Sequence, residues 1–143
     1  MFRVTRRYRF AASHRLHSAL LSEDQNREAY GKCNNPFGHG HDYVLDVSAR
    51  GPADAAGRAV DRAALDGLVE RQVIRVFDHR NLNVEVEGFT RAVPTSENLA
   101  VEICRRLKAG WGEVFPGEWP KLDGVRIAET PRNIFEVGAN EIE

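Results

Sequence analysis

The amino-acid sequence predicts an α+β domain in which two helices cover one face of an antiparallel sheet. The chain begins with two runs of alternating apolar and polar residues, continues with two segments of helical periodicity, and ends with two short alternating runs. Because the strands flank the pair of helices rather than alternating with them, an antiparallel sheet is favoured over a parallel one. With 143 residues and no internal repeat or linker, residues 1–143 are expected to form one domain.

The first predicted strand covers residues 2–14. One parity of this run is apolar, interrupted only by Arg6: it carries Phe2, Val4, Tyr8, Phe10 and Ala12. The opposite parity carries Arg3, Thr5, Arg7 and Arg9, which is typical of a half-buried strand. His14 follows on the apolar parity, so its side chain is expected to point inward.

The second predicted strand covers residues 39–49, and its apolar face includes two histidines. That face carries His39, His41, Tyr43, Leu45, Val47 and Ala49. Residues 17–38, which precede it, are rich in turn-forming residues and are predicted to be an irregular excursion. A loop of this length inside a small domain is usually functional or disordered, and the presence of Cys33 favours function.

Two amphipathic helices follow. The first is expected to start after an Asp61 N-cap and to end near Asp78 and His79. The second is predicted from about Ser96 to Lys108, with Thr95 or Ser96 as the cap and Gly110 as the stop.

Two strands end the chain. One carries Asp123, Val125, Ile127 and Glu129 on one parity, and the other carries Phe135 and Val137.

Composition excludes several classes of protein. Twenty Lys and Arg residues against twenty-one Asp and Glu leave a net charge of −1, so no strong field attracts nucleic acid or an anionic membrane. Two cysteines are too few for a disulfide framework. The first residues contain no long apolar run, so neither a signal peptide nor a membrane span is expected and a cytoplasmic location is predicted.

Three histidines form a candidate metal site. His39 and His41 lie two residues apart on one strand, so their side chains project from the same face. If the two first strands pair antiparallel, the end of one meets the start of the other and brings in His14. Three imidazoles with an open position suit catalytic zinc, although other divalent ions also bind such sites. An inward histidine can instead be a satisfied core residue, and His17 is predicted to lie at the surface.

The two cysteines are expected to differ in role. Cys33 lies in a polar turn beside Lys32, where a nearby cation or metal would lower the thiol pKa. The alternatives for Cys33 are a fourth metal ligand or an inert loop residue. Cys104 lies within the second helix, next to Ile103, and is predicted to pack in the core.

Two acidic positions complete the set of candidates. Asp78 could orient His79 and form a proton relay, or the pair could simply be a solvated helix end. Glu129 continues the apolar parity of Val125 and Ile127, so its carboxylate is expected to point inward. A buried carboxylate needs hydrogen-bond donors. A ligand with paired N–H groups would supply them, and a structural role is the alternative.

Motifs along nearly the whole chain resemble the 6-pyruvoyl tetrahydropterin synthase family. They are FAASHRLHS (10–18), GKCNNPFGHGHDY (31–43), FDHRNLN (77–83), PTSENLAVEI (94–103) and AETPRN (128–133). The resemblance implies the T-fold, a four-stranded antiparallel sheet with two helices on one face. It implies Zn²⁺ held by His14, His39 and His41, a proton-transfer group of Cys33, Asp78 and His79, and Glu129 as the anchor of the pterin ring. It also implies a homohexamer made of two trimers, with active sites between subunits.

The implied activity is that of a lyase. Such an enzyme converts 7,8-dihydroneopterin triphosphate to 6-pyruvoyl tetrahydropterin and triphosphate, with no external redox cofactor. A related activity forms 6-carboxytetrahydropterin from the same substrate, on the route to queuosine. The five residues between Cys33 and His39 resemble the pyruvoyl-forming members, whereas Asp42 and Pro131 depart from the familiar pattern. A non-catalytic zinc or pterin-binding module is the third alternative. By location alone, the candidate cations for the triphosphate are Arg15, Lys32 and Arg80.

Overall fold

The computed structural model describes residues 1–90 and 92–143, and a five-stranded sheet organises them. The strands are β1 (Phe2–His14), β2 (His39–Gly51), β3 (Arg80–Asn81), β4 (Lys121–Ala128) and β5 (Ile134–Gly138). Their order in the sheet is β3-β1-β2-β4-β5, and all neighbours are antiparallel except β3 and β1. The predicted α+β class is confirmed. The fifth strand is β3, whose two residues pair only with Ala12 and Ser13 and which has no alternating pattern to predict it.

The long pair β1–β2 sets the position of the histidines. Its register runs without a break from Phe2 opposite Gly51 to His14 opposite His39, and it places Ala12 opposite His41. The predicted antiparallel pairing across the excursion is therefore confirmed. The apolar face of the pair is buried, with Phe10, Tyr43 and Leu45 almost fully removed from solvent. Burial of this face against the helices supplies the main driving force for folding.

The first predicted helix is present but irregular. It consists of α2 (Arg62–Val69), a π-helical turn (Glu70–Ile74) and α3 (Arg75–Phe77). The Asp61 carboxylate accepts a hydrogen bond from the N–H of Ala64 at 3.1 Å, which confirms the predicted N-cap. Asp78 follows directly in an extended conformation, so the helix ends where the sequence predicts. A short helix, α4 (Leu82–Glu85), follows β3.

The second predicted helix is longer than expected. It is α5 (Ser96–Val114), with the Thr95 hydroxyl as its N-cap. The predicted stop at Gly110 is wrong because this glycine is buried where α5 crosses α2. A Cβ atom at Gly110 would lie 2.9 Å from Leu68 Cδ1, so the missing side chain permits close helix packing rather than ending the helix. No helix within residues 1–90 and 92–143 is both long and apolar enough to span a membrane.

The excursion at residues 17–38 contains a helix that the sequence reading missed. It is α1 (Glu23–Tyr30), and a 3₁₀ turn (Gly31–Asn34) follows it. Ser22 and Gln25 form a capping box at its start, and Glu23 and Asp24 place acidic side chains in its first turn, so the signals for this helix are local. Its exposed faces carry polar residues all round, and Asn26 is its only buried member. The helix therefore has no apolar stripe, and periodicity could not reveal it.

Candidate functional site

Four side chains converge where β1, β2 and β4 meet at one end of the sheet. His14 ends β1, His41 lies near the start of β2, Cys33 lies in the 3₁₀ turn and Glu129 follows β4. One ligand atom from each lies within 4.8 Å of the others. Backbone hydrogen bonds fix the two members that lie outside the strands: Leu16 N–H donates to the Cys33 carbonyl at 2.6 Å, and Glu129 N–H to the Asn133 carbonyl at 3.0 Å. We call these four residues the His–Cys–Glu cluster.

Distances within the His–Cys–Glu cluster suit a metal ion. The Nε2 atoms of His14 and His41 lie 3.1 Å apart, and Glu129 Oε1 lies 3.3 Å from His41 Nε2 and 3.9 Å from His14 Nε2. Metal–nitrogen bonds of 2.0–2.1 Å in a tetrahedral site place neighbouring ligand atoms about 3.3 Å apart. The donor set of imidazole, thiol and carboxylate also matches what zinc and similar divalent ions bind. The cluster could therefore hold a metal ion.

A hydrogen bond on the far side of its ring orients His14. Its Nδ1–H donates to the Pro94 carbonyl at 2.9 Å, and the Tyr43 hydroxyl lies 3.4 Å from the same nitrogen. Since a carbonyl can only accept, the proton of the neutral ring lies on Nδ1 and the lone pair of Nε2 faces the cluster. This arrangement is the usual support of a metal-bound histidine.

Burial determines the protonation of the cluster. It lowers the pKa of His14 and of His41, whereas the nearby Glu129 charge acts in the opposite direction for both. Neutral imidazole is the form that binds metals. The pKa of Cys33 is raised by burial and by the Glu129 charge. The cation effect expected from Lys32 therefore does not lower it, and a divalent cation in the cluster would be needed to favour the thiolate.

His39 lies beside the cluster rather than inside it. Its ring meets the His41 ring edge to face, with centroids 4.5 Å apart, on the same face of the sheet. Its nitrogens are not among the four ligand atoms that converge. The structure thus brings His14 and His41 together as predicted, adds Cys33 and Glu129 to them, and leaves His39 as the adjacent third imidazole.

Asp78 and His79 form a pair that is hydrogen-bonded to the backbone of β1. Asp78 Oδ1 accepts a hydrogen bond from Ala11 N–H at 2.9 Å, and His79 N–H donates to the Ala11 carbonyl at 2.6 Å. Asp78 Oδ2 lies 3.6 Å from His79 Nε2, and the His79 side chain is 82% exposed. Among residues 1–90 and 92–143, no hydrogen bond or ion pair joins this pair to Cys33. Because of its high exposure, the His79 imidazole faces solvent.

Comparison with known proteins places the chain in a family. The family model described as 6-pyruvoyl tetrahydropterin synthase matches residues 3–140. The chain belongs to the 6-pyruvoyl tetrahydropterin synthase family. The resemblance that the sequence motifs indicate is thus confirmed.

Individual members of this family are similar over most of their length. The 6-pyruvoyl tetrahydrobiopterin synthase of Poecilia reticulata is 41% identical over 92% of this chain and 86% of its own. The Homo sapiens protein of the same name is also 41% identical, over 92% of this chain and 87% of its own. The solved structure of Caenorhabditis elegans 6-pyruvoyl tetrahydropterin synthase superposes with a TM-score of 0.87 at 41% identity, covering 96% of this chain and 94% of that one. The T-fold of the family is therefore present here.

Two contacts of this 6-pyruvoyl tetrahydropterin synthase family member were not predicted from sequence. Tyr43 shares the face of His41, so its parity was visible, but its approach to His14 depends on the β1–β2 register. The Pro94 contact is made by a backbone carbonyl, which has no signature in side-chain patterns.

Cys104 is fully buried in the core, as predicted, and burial raises its pKa to about 11.

Proposed function

We propose that the protein is a lyase that converts 7,8-dihydroneopterin triphosphate to 6-pyruvoyl tetrahydropterin and releases inorganic triphosphate. The observation that carries the proposal is the convergence of His14 and His41, with Nε2 atoms 3.1 Å apart, on Cys33 and Glu129. This donor set offers a metal site and a proton-transfer group in one place. Membership of the family and the names of the relatives at 41% identity support the pyruvoyl-forming reaction.

The proposed metal is zinc, held by His14, His39 and His41. The inward lone pair of His14 and its short distance to His41 favour these two ligands. His39 would join them by turning its ring, which already contacts His41, toward the cluster. When bound, zinc would supply Lewis-acid chemistry, polarising a substrate oxygen and making the neighbouring C–H group more acidic.

Cys33 is proposed to hold and move a proton at Sγ. Its thiol lies among the metal-binding atoms, so it would face the carbon atoms of a substrate side chain bound there. The raised pKa keeps the thiol protonated until a cation occupies the cluster. The residue would therefore become a base only in the metal-loaded site, where the substrate is also held.

Glu129 is proposed to anchor the pterin ring. Its side chain is only 14% exposed, and its nearest described ion-pair contacts are with histidines whose lowered pKa keeps them neutral. A buried carboxylate next to neutral rings lacks charged donors. The amino group and adjacent ring N–H of a pterin would donate two parallel hydrogen bonds to its two oxygens.

Asp78 and His79 are proposed to act on a site completed by a neighbouring copy in a homohexamer of two trimers. The exposure of the His79 side chain and the hydrogen bonds of the pair to Ala11, outside the His–Cys–Glu cluster, favour this arrangement. The sheet also offers two edges for pairing with further copies. One is β5, and the other is the part of β1 before Ala12, beyond the two residues paired with β3.

Product analysis tests the proposed reaction. Incubation of the protein with 7,8-dihydroneopterin triphosphate is expected to yield 6-pyruvoyl tetrahydropterin and inorganic triphosphate, with about one zinc ion per chain. Formation of 6-carboxytetrahydropterin together with acetaldehyde would instead establish the alternative activity. Stoichiometric binding of metal and pterin without turnover would establish a binding module and contradict the proposal.

A further inference from the structure

A cationic cavity adjoins the His–Cys–Glu cluster and is not explained by the metal or the pterin. It encloses about 470 Å³ and lies between the residues that follow β1 and those that precede β2. Arg15, His17, Lys32 and Asn34 line it, and so does His39, whose ring contacts His41. The four cluster residues do not line this cavity themselves, but Lys32 and Asn34 flank Cys33 and Arg15 follows His14, so its lining is continuous in the chain with the cluster.

Asn34 orients two of the groups in this cavity. It is 8% exposed, and its side-chain amide donates to the Leu16 carbonyl at 2.8 Å and to His17 Nδ1 at 3.2 Å. With Nδ1 as an acceptor, the proton of the neutral His17 ring lies on Nε2. The backbone carbonyl of Asn34 also accepts a hydrogen bond from Arg15 Nε at 3.2 Å. Asn34 is therefore a positioning residue for one N–H donor and one guanidinium.

The charges in the cavity are available to a ligand. Within residues 1–90 and 92–143, neither Arg15 nor Lys32 forms an ion pair, and the terminal nitrogens of Arg15 have no hydrogen-bond acceptor. Arg27 at the rim is paired with Asp24, and Glu23 is the one acidic residue in the lining. A guanidinium, an ammonium and an imidazole N–H converging on one cavity match the oxygen atoms of a polyphosphate.

Arg80, the third cation considered from sequence, lines another cavity and is already paired. Its guanidinium forms an ion pair with Glu85 at 3.3 Å, and it lines a different cavity, together with His41 and His79. Its charge is already compensated by that carboxylate. This ion pair therefore distinguishes Arg80 from Arg15 and Lys32, which form none within residues 1–90 and 92–143.

We infer that this cavity binds the triphosphate chain of the substrate through Arg15, Lys32 and the Nε2–H of His17, with Asn34 positioning Arg15 and His17. The identity of the ligand rests on the proposed function, because the phosphate chain of that substrate lies next to the carbon atoms on which the cluster would act. The ligand class is a linear polyphosphate or its ester. His17, which has no role in the sequence reading, becomes a phosphate ligand.

Calorimetric titration with inorganic tripolyphosphate tests the assignment. We expect Lys32→Ala and His17→Phe each to weaken binding roughly ten- to hundredfold, the loss of one charge-assisted hydrogen bond. His17→Gln, which retains an N–H donor, should recover part of this loss. Lys121→Ala removes one charge at the opposite end of β4 and should bind like the wild-type protein. Metal content is measured before and after titration because tripolyphosphate binds divalent ions.

The outcomes separate this inference from the proposed reaction. Equal tripolyphosphate affinity in wild type, Lys32→Ala and His17→Phe, or no binding by wild type, would overturn the assignment of the cavity. Kinetics give a second readout: the pocket variants should raise KM for the triphosphate substrate much more than they lower kcat. Product formation with unchanged KM in both variants contradicts the cavity but leaves the reaction intact. Tripolyphosphate binding that depends on Lys32 and His17, without product formation, supports the cavity and contradicts the reaction.

Discussion

Strand β1 carries two polar residues on its apolar face, and their surroundings differ in an instructive way. Arg6 forms two hydrogen bonds with the Asp66 carboxylate, at 3.1 and 2.6 Å, and the Tyr8 hydroxyl donates to the same carboxylate at 2.6 Å. His14, eight residues further along the same strand, donates its Nδ1–H to the Pro94 carbonyl. Its Nε2 carries a lone pair that faces into the His–Cys–Glu cluster, 3.1 Å from His41 Nε2 and 3.9 Å from Glu129 Oε1.

This difference separates a structural polar group from one that belongs to a site. The Arg6–Asp66–Tyr8 group compensates its own charge and ties β1 to α2, so it needs nothing from outside the chain. The His–Cys–Glu cluster gathers two imidazoles, a thiol and a carboxylate, and residues 1–90 and 92–143 supply no Lys or Arg that forms an ion pair with that carboxylate. An uncompensated buried polar group is costly, and such a cost is expected where a ligand completes the arrangement.

The largest expected effect comes from His14→Asn. Asparagine can donate its amide N–H to the Pro94 carbonyl in place of Nδ1–H, but it has no atom that corresponds to Nε2. We expect metal affinity to fall by at least about a hundredfold, the upper range for loss of an outer-shell contact, and turnover to be lost with it. Metal content by elemental analysis and product assays check both. A variant that retains one metal ion per chain would contradict the ligand role of His14.

Cys33→Ala is expected to affect turnover without removing the metal. Loss of a positioned proton-transfer group costs about 10²–10⁴ in rate. Since His14, His39 and His41 remain, metal content should stay at the wild-type value. Measuring it distinguishes a proton-transfer role of Cys33 from a role as a metal ligand. Full turnover would disprove the proton-transfer role, and loss of the metal would instead identify Cys33 as a ligand.

The sequence predicted those parts of the molecule that follow from periodicity. Alternation located β1 and β2 and placed His14 and His41 on one face, and the antiparallel pairing then brought the two together. Periodicity did not reveal α1, whose residues are polar on all faces, or the continuation of α5 past a glycine that packs against Leu68. Both features depend on tertiary contacts or on local capping.

The site was predictable only in part, because contacts between segments that are distant in the chain leave no periodic pattern in the sequence. The resemblance names Cys33 and Glu129 as functional residues, but their approach to the two histidines depends on how a loop and a strand end close over β2. Arg6 appeared in the sequence only as an interruption of the apolar parity. Its partner Asp66 lies 60 residues away, so the compensation of its charge is a property of the fold.

Asp66→Asn is expected to lower stability and leave the site intact. The variant keeps a side-chain oxygen for Tyr8 but loses the charge that pairs with Arg6. Because both partners of the pair are more than a third exposed, solvent screening limits the expected loss to about 1 kcal/mol of unfolding free energy. Urea unfolding measures it, with Glu113→Gln on the exposed part of α5 as the control for lost charge. A decrease in metal content would show that the Arg6–Asp66–Tyr8 group and the His–Cys–Glu cluster are coupled.

The smallest expected effect is the pH dependence of this stability difference. The hydrogen bonds and charge of Arg6 lower the pKa of Asp66. A carboxyl whose pKa is lower in the folded state stabilises the protein fully above its unfolded pKa, near 3.9, and this contribution disappears as pH falls through the folded pKa. The stability gap between wild type and Asp66→Asn should therefore be constant around neutral pH and narrow progressively below about pH 4. Unfolding of metal-free protein at each pH removes the effect of histidine protonation on metal binding. A gap that stays constant down to strongly acidic pH would mean that the carboxylate charge contributes nothing, and that the Arg6–Asp66–Tyr8 group acts through neutral hydrogen bonds and packing alone.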